Sequence, residues 1–457
     1  MYRRYIMRSG PPELPGGVLA ESPIDRALAL SLTGERDAAL RWAAAIVQND
    51  PHKPSGWLVC GRLLAEANRA ELAREALDLA LHTAVNTGNL PLAVAACSDL
   101  RTLGSDPGPF YETIAKAFCL GSDRIADGSA SPPQLPAPNT LHPLPSVLTG
   151  MALLSRTTEI IRNGRKSIKE TDDARMAAPR FAPLPLFSEL GNEALRALVE
   201  VFDVRTIPRD NVIIAEGEEG SEAYILARGE LEARRTAADS STIVLARLTA
   251  GAIFGEMALL SRAPRAASVV TCRPSIVLVA RKAALDLVTE RFPDVGTVLA
   301  AHCQRRIVQN LVRTSAMLRA VPASERPALI ERFVTKVFEE GEVLIRQNSN
   351  DDGLHLIASG KVSVVREEAG EPLVIATLNP GDTVGEVSLV LRKPSTATVI
   401  ALHPTLTLHL ASNGFRELLR KHPAILVELY DLAVSRDEET LSIVEQEPVN
   451  IDDDLLV

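Results

Sequence analysis

The stretch from Phe254 to Val270 reads FGEMALLSRAPRAASVV, and that from Val384 to Ile400 reads VGEVSLVLRKPSTATVI. Both open on a Gly-Glu pair, run through an apolar turn of small residues, pass a proline and end in a β-branched run. Gly255 pairs with Gly385, Glu256 with Glu386 and Pro264 with Pro394, each pair 130 residues apart. One departure removes the guanidinium. Arg265 in the first stretch has Ser395 as its counterpart. A carboxylate and a guanidinium around a short loop place an acceptor and a permanent cation at one opening.

The correspondence extends outward. NVIIAEGEEGSEAYILARGELEA aligns with EVLIRQNSNDDGLHLIASGKVSV at an offset of 131, which pairs Gly229 with Gly360. A one-residue loop difference then brings the offset to 130, and Gly251 pairs with Gly381. Short β-rich runs (DVRTI, NVIIAEG, EAYILARGELEARR, STIVLARL) alternate with Gly- and Asp-containing turns, which predicts a small all-β sandwich or barrel. LFSELGNEALRALVEVF reads as an amphipathic helix before the first copy. SIVLVARKAALDLVTERFP and VGTVLAAHCQRRIVQNLVRTSAML read as helices after it. Two copies of one α+β fold follow, over 184–320 and 321–440.

These copies resemble cyclic nucleotide-binding domains, the β-barrel (jelly-roll) fold shared by catabolite activator protein and the regulatory subunit of protein kinase A. FGEMALLSRAPRAAS is similar to that family's phosphate-binding cassette almost position for position. The resemblance implies a ligand site made of Phe254, Gly255, Glu256, Met257, Ala258, Arg265, Ala266 and Ala267. Arg265 would hold the cyclic phosphate as a bidentate partner. Glu256 would accept from the ribose 2′-hydroxyl, and Gly255 would let the backbone pass close to the sugar. EMALLS reads as one helical turn whose free N–H groups favour an anion. A threonine after the phosphate arginine marks cGMP-selective relatives. Ala266 stands there, so the resemblance implies cAMP, with cGMP weaker. Without the flanking match, Glu256 and Arg265 would read as an ion pair closing a barrel loop.

The second cassette keeps the loop glycine and the glutamate and lacks the arginine. Its candidate residues are Gly385, Glu386, Val387, Ser388, Ser395 and Thr396. A buried phosphate without a charged partner loses several kcal/mol. Three readings stay open: a degenerate structural partner, a site for an uncharged nucleoside-like ligand, or a site in which Arg392 replaces the missing cation.

The N-terminal part is Ala/Leu-rich. Residues 22–120 carry a faint 34-residue period, in which Ala27, Leu30 and Ala39 precede Gly61, Leu64 and Ala73. Breaks at LTGER and EANRA divide each unit into two helices. The period resembles the tetratricopeptide repeat, best in the unit with Trp57, Gly61, Ala73 and Ala80. An irregular helical bundle is the alternative. Residues 1–21 read as a disordered tail, 121–183 as a Pro-rich and basic linker with six prolines between Pro132 and Pro145, and 441–457 as an acidic tail. The fold class expected is multidomain: an α-helical repeat region followed by two α+β cyclic nucleotide-binding domains.

Composition narrows the function. The 457-residue chain is 46% hydrophobic, 23% charged and carries a net charge of -9, ordinary for a globular protein and adverse to nucleic-acid binding. The chain after Arg436 has eight acidic residues and no Lys or Arg, so this tail is not expected to dock on DNA phosphates. No apolar run reaches membrane-spanning length. Five scattered cysteines form no Cys-x-x-Cys pair, which argues against disulfides or zinc and for a reducing, cytoplasmic setting. No nucleotide-hydrolase, serine-hydrolase, metalloprotease or kinase motif is present, so no enzyme, cofactor or metal is expected. The expected function is a cyclic nucleotide-sensing adaptor that engages a protein partner through its helical repeats. A regulatory subunit of a kinase-like partner and a ligand-independent scaffold are the alternatives.

Overall fold

The computed structural model describes residues 21–126, 141–236, 242–256, 264–314, 321–322, 324–325, 329, 332–350, 353–368 and 371–446. The tail expected over 1–21 lies outside them apart from Glu21, as do 447–457.

The N-terminal layer consists of α1 (Pro23–Leu32), α2 (Arg36–Asn49), α3 (Pro54–Glu66), α4 (Ala70–Asn86), α5 (Leu90–Thr102) and α6 (Gly108–Phe118). Ser22 caps α1 through a reciprocal capping box with Asp25, and proline opens α1 and α3. The helices end at LTGER and EANRA, as their turn residues require. Gly34 and Asn68 take left-handed backbone there. α2 and α4 begin 34 residues apart. Ala39, Ala43, Ala73, Ala76 and Ala80 are buried, and a Cβ on Gly61 would lie 2.6 Å from Leu77. Small residues therefore set the close approach of α3 and α4.

Part of the stretch expected to be linker is a packed element. α7 (Gly150–Ala174) buries Leu153, Ile160, Ile161 and Ile168 against α2 and α4. A Cβ on its Gly164 would lie 2.5 Å from the Trp57 ring, so the two elements are locked together. The helical periodicity of this segment was visible, but its proline-rich approach masked the docking.

Among the described residues each β copy has eight strands in two four-stranded sheets. The first contains β1 (Asp203–Ile207), β2 (Val212–Ile214), β3 (Glu222–Arg228), β4 (Glu230–Thr236), β5 (Thr242–Thr249), β6 (Ile253–Phe254), β7 (Ser268–Thr271) and β8 (Ser275–Arg281), ordered β1-β8-β3-β6 and β2-β7-β4-β5. α8 (Asn192–Glu200) precedes it; α9 (Lys282–Arg291) and α10 (Pro293–Thr314) follow, and SIVLVAR, expected to open the following helix, is instead strand β8, a β-branched apolar run buried on both faces. The second repeats the order with β9 (Val334–Phe338), β10 (Val343–Ile345), β11 (Gly353–Ser359), β12 (Val362–Glu368), β13 (Glu371–Leu378), β14 (Thr383–Val384), β15 (Thr398–Ala401) and β16 (Thr405–Ala411). α11 (Glu386–Leu391), α12 (Ser412–Lys421) and α13 (Pro423–Gln446) complete it. β1 to β3 and β9 to β11 start 131 residues apart, and β7, β8 and β15, β16 start 130 apart. Residues 441–446, expected to begin an acidic tail, belong to α13.

β3 and β8 are buried on both faces. Tyr224, Leu226, Val277 and Val279 fill the inside of barrel 1. Ala223, Ile225, Ala227, Ile276, Leu278 and Ala280 point the other way, into a core shared with the N-terminal helices. That side is held by polar contacts too. The buried Asp25 carboxylate accepts from Arg228 at 2.5 Å and Arg273 at 2.8 Å, and Arg62 of α3 donates to Thr206 at 2.9 Å. α1, α3 and α5 thus lie against barrel 1, and α7 lies against α2 and α4. α10 takes part in two cores. Val295 belongs to the core of barrel 1 and the helical layer, whereas Ile307 and Leu311 belong to that of barrel 2.

Candidate functional site

In barrel 1, β6 delivers Phe254, Gly255 and Glu256 to the mouth. Tyr224 pairs with Phe254 across the β3–β6 ladder, and their rings stack at 5.1 Å. Gly255 has φ 75°, and a Cβ there would lie 3.0 Å from Arg265 and 3.1 Å from Tyr224. Only glycine meets both demands at low cost. Glu256 is 3% exposed, and its carbonyl accepts from Cys303 Sγ of α10 at 3.8 Å. The post-barrel helix therefore rests on the cassette itself.

Arg265 enters from the other side. Its backbone N–H donates to Glu218 at 2.8 Å, and its carbonyl accepts from Gly217 at 2.9 Å, which anchors it to the β2–β3 turn. The guanidinium donates to the Gly255 carbonyl and the Glu222 carbonyl, each at 2.7 Å. It passes so close to Gly220 that a Cβ there would fall 2.2 Å from Nε. Burial lowers the Arg265 pKa, while Tyr224 and Glu256 oppose the shift. Burial also pushes Tyr224 up to about 12, and its hydroxyl donates to Glu222 at 2.7 Å. The cassette thus holds one buried carboxylate and one half-buried guanidinium, with the guanidinium resting on neutral carbonyls. A stronger acceptor can recruit those donors without breaking an ion pair. Ala266 is exposed and Ala267 half-buried. Met257 and Ala258 lie outside the described residues, as does most of the expected helical turn.

Barrel 2 uses the same backbone frame. Ser395 N–H donates to Ser349 at 3.0 Å, and Asn348 N–H donates to the Ser395 carbonyl at 2.8 Å. Ser395 therefore occupies the Arg265 position in space as well as in sequence. Gly385 has φ 91° and opens α11. Glu386 is 1% exposed. Gly385, Glu386, Val387, Ser388, Ser395 and Thr396 all line one cavity of about 130 Å³. Ser388 Oγ donates to the Gly385 carbonyl at 3.1 Å.

The substitute cation expected at Arg392 is not found in this cavity. Arg392 is exposed at the left-handed end of α11 and does not line it. Pro394 separates it from the Ser395 position. The guanidinium that reaches the cavity is Arg436 of α13, which donates to Glu386 Oε1 and the Thr383 carbonyl, each at 2.5 Å. Burial raises the Glu386 pKa, and Arg436 opposes that. Sequence reading missed Arg436. A signal existed, because the offset of 130 that relates the cassettes also relates Arg436 to Arg306.

His355 and His409 are buried cross-strand partners in β11 and β16. Among the described residues no helix is long and apolar enough to cross a membrane, and no group of His, Cys, Asp or Glu could hold a metal.

Comparison with known proteins agrees with this geometry. Residues 204–291 and 335–422 match the family described as cyclic nucleotide-binding domain. A cAMP-dependent protein kinase regulatory subunit from Yarrowia lipolytica is 30% identical over 234 residues, covering 51% of this chain and 58% of its own. The one from Emericella nidulans is 28% identical over 242 residues, covering 51% and 57%. The chain thus spans a little over half the length of these relatives. The regulatory domain of Toxoplasma gondii PKA with cAMP covers 55% of this chain and 92% of its own at 23% identity and a TM-score of 0.28, too low to add to the assignment. The chain carries two cyclic nucleotide-binding domains in tandem and, over them, is similar to the regulatory subunits of cAMP-dependent protein kinase.

Proposed function

We propose that the protein is a cyclic nucleotide-sensing regulatory protein whose ligand, cAMP in preference to cGMP, occupies barrel 1. The observation that carries this reading is the convergence of Glu256 and Arg265 on one mouth, with the guanidinium held on the Gly255 and Glu222 carbonyls. Its N–H groups can turn to a phosphodiester, and Glu256 can accept from a ribose hydroxyl. Ala266 presents no hydroxyl to a guanine amino group, which favours adenine. The reading is of a binding protein rather than a catalyst, and its cysteines, none of them in a disulfide among the described residues, suit a reducing cytoplasm.

α10 supports a route for coupling. It touches the cassette at Cys303 and carries Ile307 and Leu311 into the core of barrel 2. A ligand that binds one position of α10 better than another shifts the balance between them. The output is a protein partner. The helical repeats supply its surface on faces not taken by barrel 1 and α7. The relatives' name supports a second reading, a regulatory subunit for a kinase-like catalytic chain.

Titration calorimetry of the full chain with cAMP and cGMP tests the ligand. One equivalent of cAMP is expected, with cGMP weaker. Arg265→Ala should weaken cAMP at least about tenfold, because a hydrogen bond to a charged group contributes roughly 1.5–3 kcal/mol. No heat with either nucleotide, or cAMP binding indifferent to Arg265→Ala, refutes the assignment.

A further inference from the structure

The cavity of barrel 2 differs chemically from its counterpart. Two of its polar atoms, Glu386 Oε2 and Ser395 Oγ, are buried and have no hydrogen-bond partner. Buried polar atoms are nearly always paired, so two orphans on one cavity wall mark a place where a ligand's groups belong. The other carboxylate oxygen, Oε1, is taken by Arg436. The remaining walls are mainly apolar, with Ile345, Val364, Ile375, Leu378 and Val399 among them. The cavity of about 130 Å³ is several times the roughly 10–15 Å³ that a single water needs.

Charge decides the ligand class. Among the described residues Arg436 is the one cation lining the cavity, and it already faces the Glu386 carboxylate. An incoming phosphodiester would add a second negative group with Ser395 in place of a guanidinium, and an uncompensated buried charge costs far more than a buried hydroxyl. A neutral molecule with hydroxyl donors meets no such penalty. Glu386 Oε2 accepts one hydroxyl, Ser395 Oγ bonds to a second, and the apolar walls cover a flat ring. We infer that barrel 2 is a binding site for an uncharged ribonucleoside, with its ribose on Glu386 and Ser395 and its base against the apolar wall. This rests on the same ribose role for the cassette glutamate as the reading of barrel 1, but not on the phosphate role of Arg265.

The test is titration calorimetry of the full chain with adenosine, guanosine, cytidine and uridine, each without and then with saturating cAMP. At least one ribonucleoside should bind with one equivalent and do so equally in Arg265→Ala. Its 2′-deoxy analogue should bind at least tenfold more weakly, and Glu386→Gln should lower affinity at least tenfold while leaving the cAMP titration of barrel 1 intact. Should Glu386→Gln fail to fold, Ser395→Arg serves instead. It fills the cavity and should abolish nucleoside binding, and unchanged binding in that variant overturns the proposal. It is also overturned if none of the four binds at millimolar concentration, if binding survives Glu386→Gln, or if the site takes a second equivalent of cAMP instead. Failure of cAMP at barrel 1 with nucleoside binding intact would refute the reading of barrel 1 and leave this one standing.

Discussion

Arg436 Nη1 lies 2.5 Å from Glu386 Oε1, although 50 residues separate them and the carboxylate is 1% exposed. The contact pins α13 to the mouth of barrel 2, because the same nitrogen donates to the Thr383 carbonyl. Removing one partner of a buried pair leaves a charge without compensation. Arg436→Ala should therefore destabilise barrel 2 by about 3–5 kcal/mol. Replacing both partners, as Arg436→Met with Glu386→Leu, should cost less than the single change. Denaturant melts of the three proteins measure the difference, and equal losses for single and double variants would contradict the pairing.

Asp25 is expected to behave similarly at the other end of the chain. Its carboxylate is 2% exposed and joins Arg228 and Arg273, while its side chain also completes the cap of α1. Burial pushes its pKa up, but the Arg228 guanidinium and the hydrogen bonds from Ser22 outweigh that and hold it below the usual carboxylate range. Asp25→Ala strands Arg228, whose burial lowers its own pKa. A loss of about 3–5 kcal/mol is expected. Limited proteolysis should then release the helical layer from barrel 1 before either is cut internally.

Gly164 faces the Trp57 ring with no room for a side chain. Gly164→Ala improves helix propensity by roughly 1 kcal/mol in an exposed helix. Here overpacking of about 1–3 kcal/mol should outweigh that gain. A thermal melt of the variant below that of the wild type is the expected result, and a rise would mean that α7 does not pack as described.

His355 gives barrel 2 a pH dependence. It is 3% exposed, shares a hydrogen bond with Thr407 Oγ1 at 3.1 Å, and has His409 and Phe338 against its ring. Burial, followed by the charges of His409 and Lys336, lowers its pKa from 6.5 to about 3. Above about pH 6.5 the ring is neutral in both the folded and the unfolded chain, and no penalty arises. Between 6.5 and about 3 only the unfolded chain takes up the proton, so stability falls by about 1.4 kcal/mol per pH unit. His355→Gln should flatten this slope in denaturant melts recorded between pH 7 and pH 5.

The barrels were legible because their turns are chemically constrained. Gly229 and Gly360 must adopt positive φ beside Ser275 and Thr405, and such glycines kept the two copies in register through the offsets of 131 and 130. The cassette residues were legible for the same reason. Arg436 was not, since its contact depends on where a later helix crosses the barrel, and only the matching position of Arg306 hinted at it. The docking of helices on barrel 1 was hidden too, although AYILA in β3 is an unbroken apolar run. Such a run signals a strand covered on both faces. For α7, proline content spoke for a spacer while Leu153, Ile160 and Ile161 spoke for a core, and burial prevailed.

α10 is owned by neither barrel. Its 22 residues span about 33 Å at 1.5 Å per residue, with Val295 in one core and Ile307 and Leu311 in the other. A cut before Val295 takes one apolar side chain from barrel 1, a cut after Leu311 takes two from barrel 2, and a cut between Val295 and Ile307 leaves each core its side chains but only half of the helix that carries them. Exchanging one barrel for another of the same family would have to carry this helix along with it, and the helix fits the surfaces at both of its ends. The tandem is thus a joined pair, although its sequence reads as two copies that could be separated.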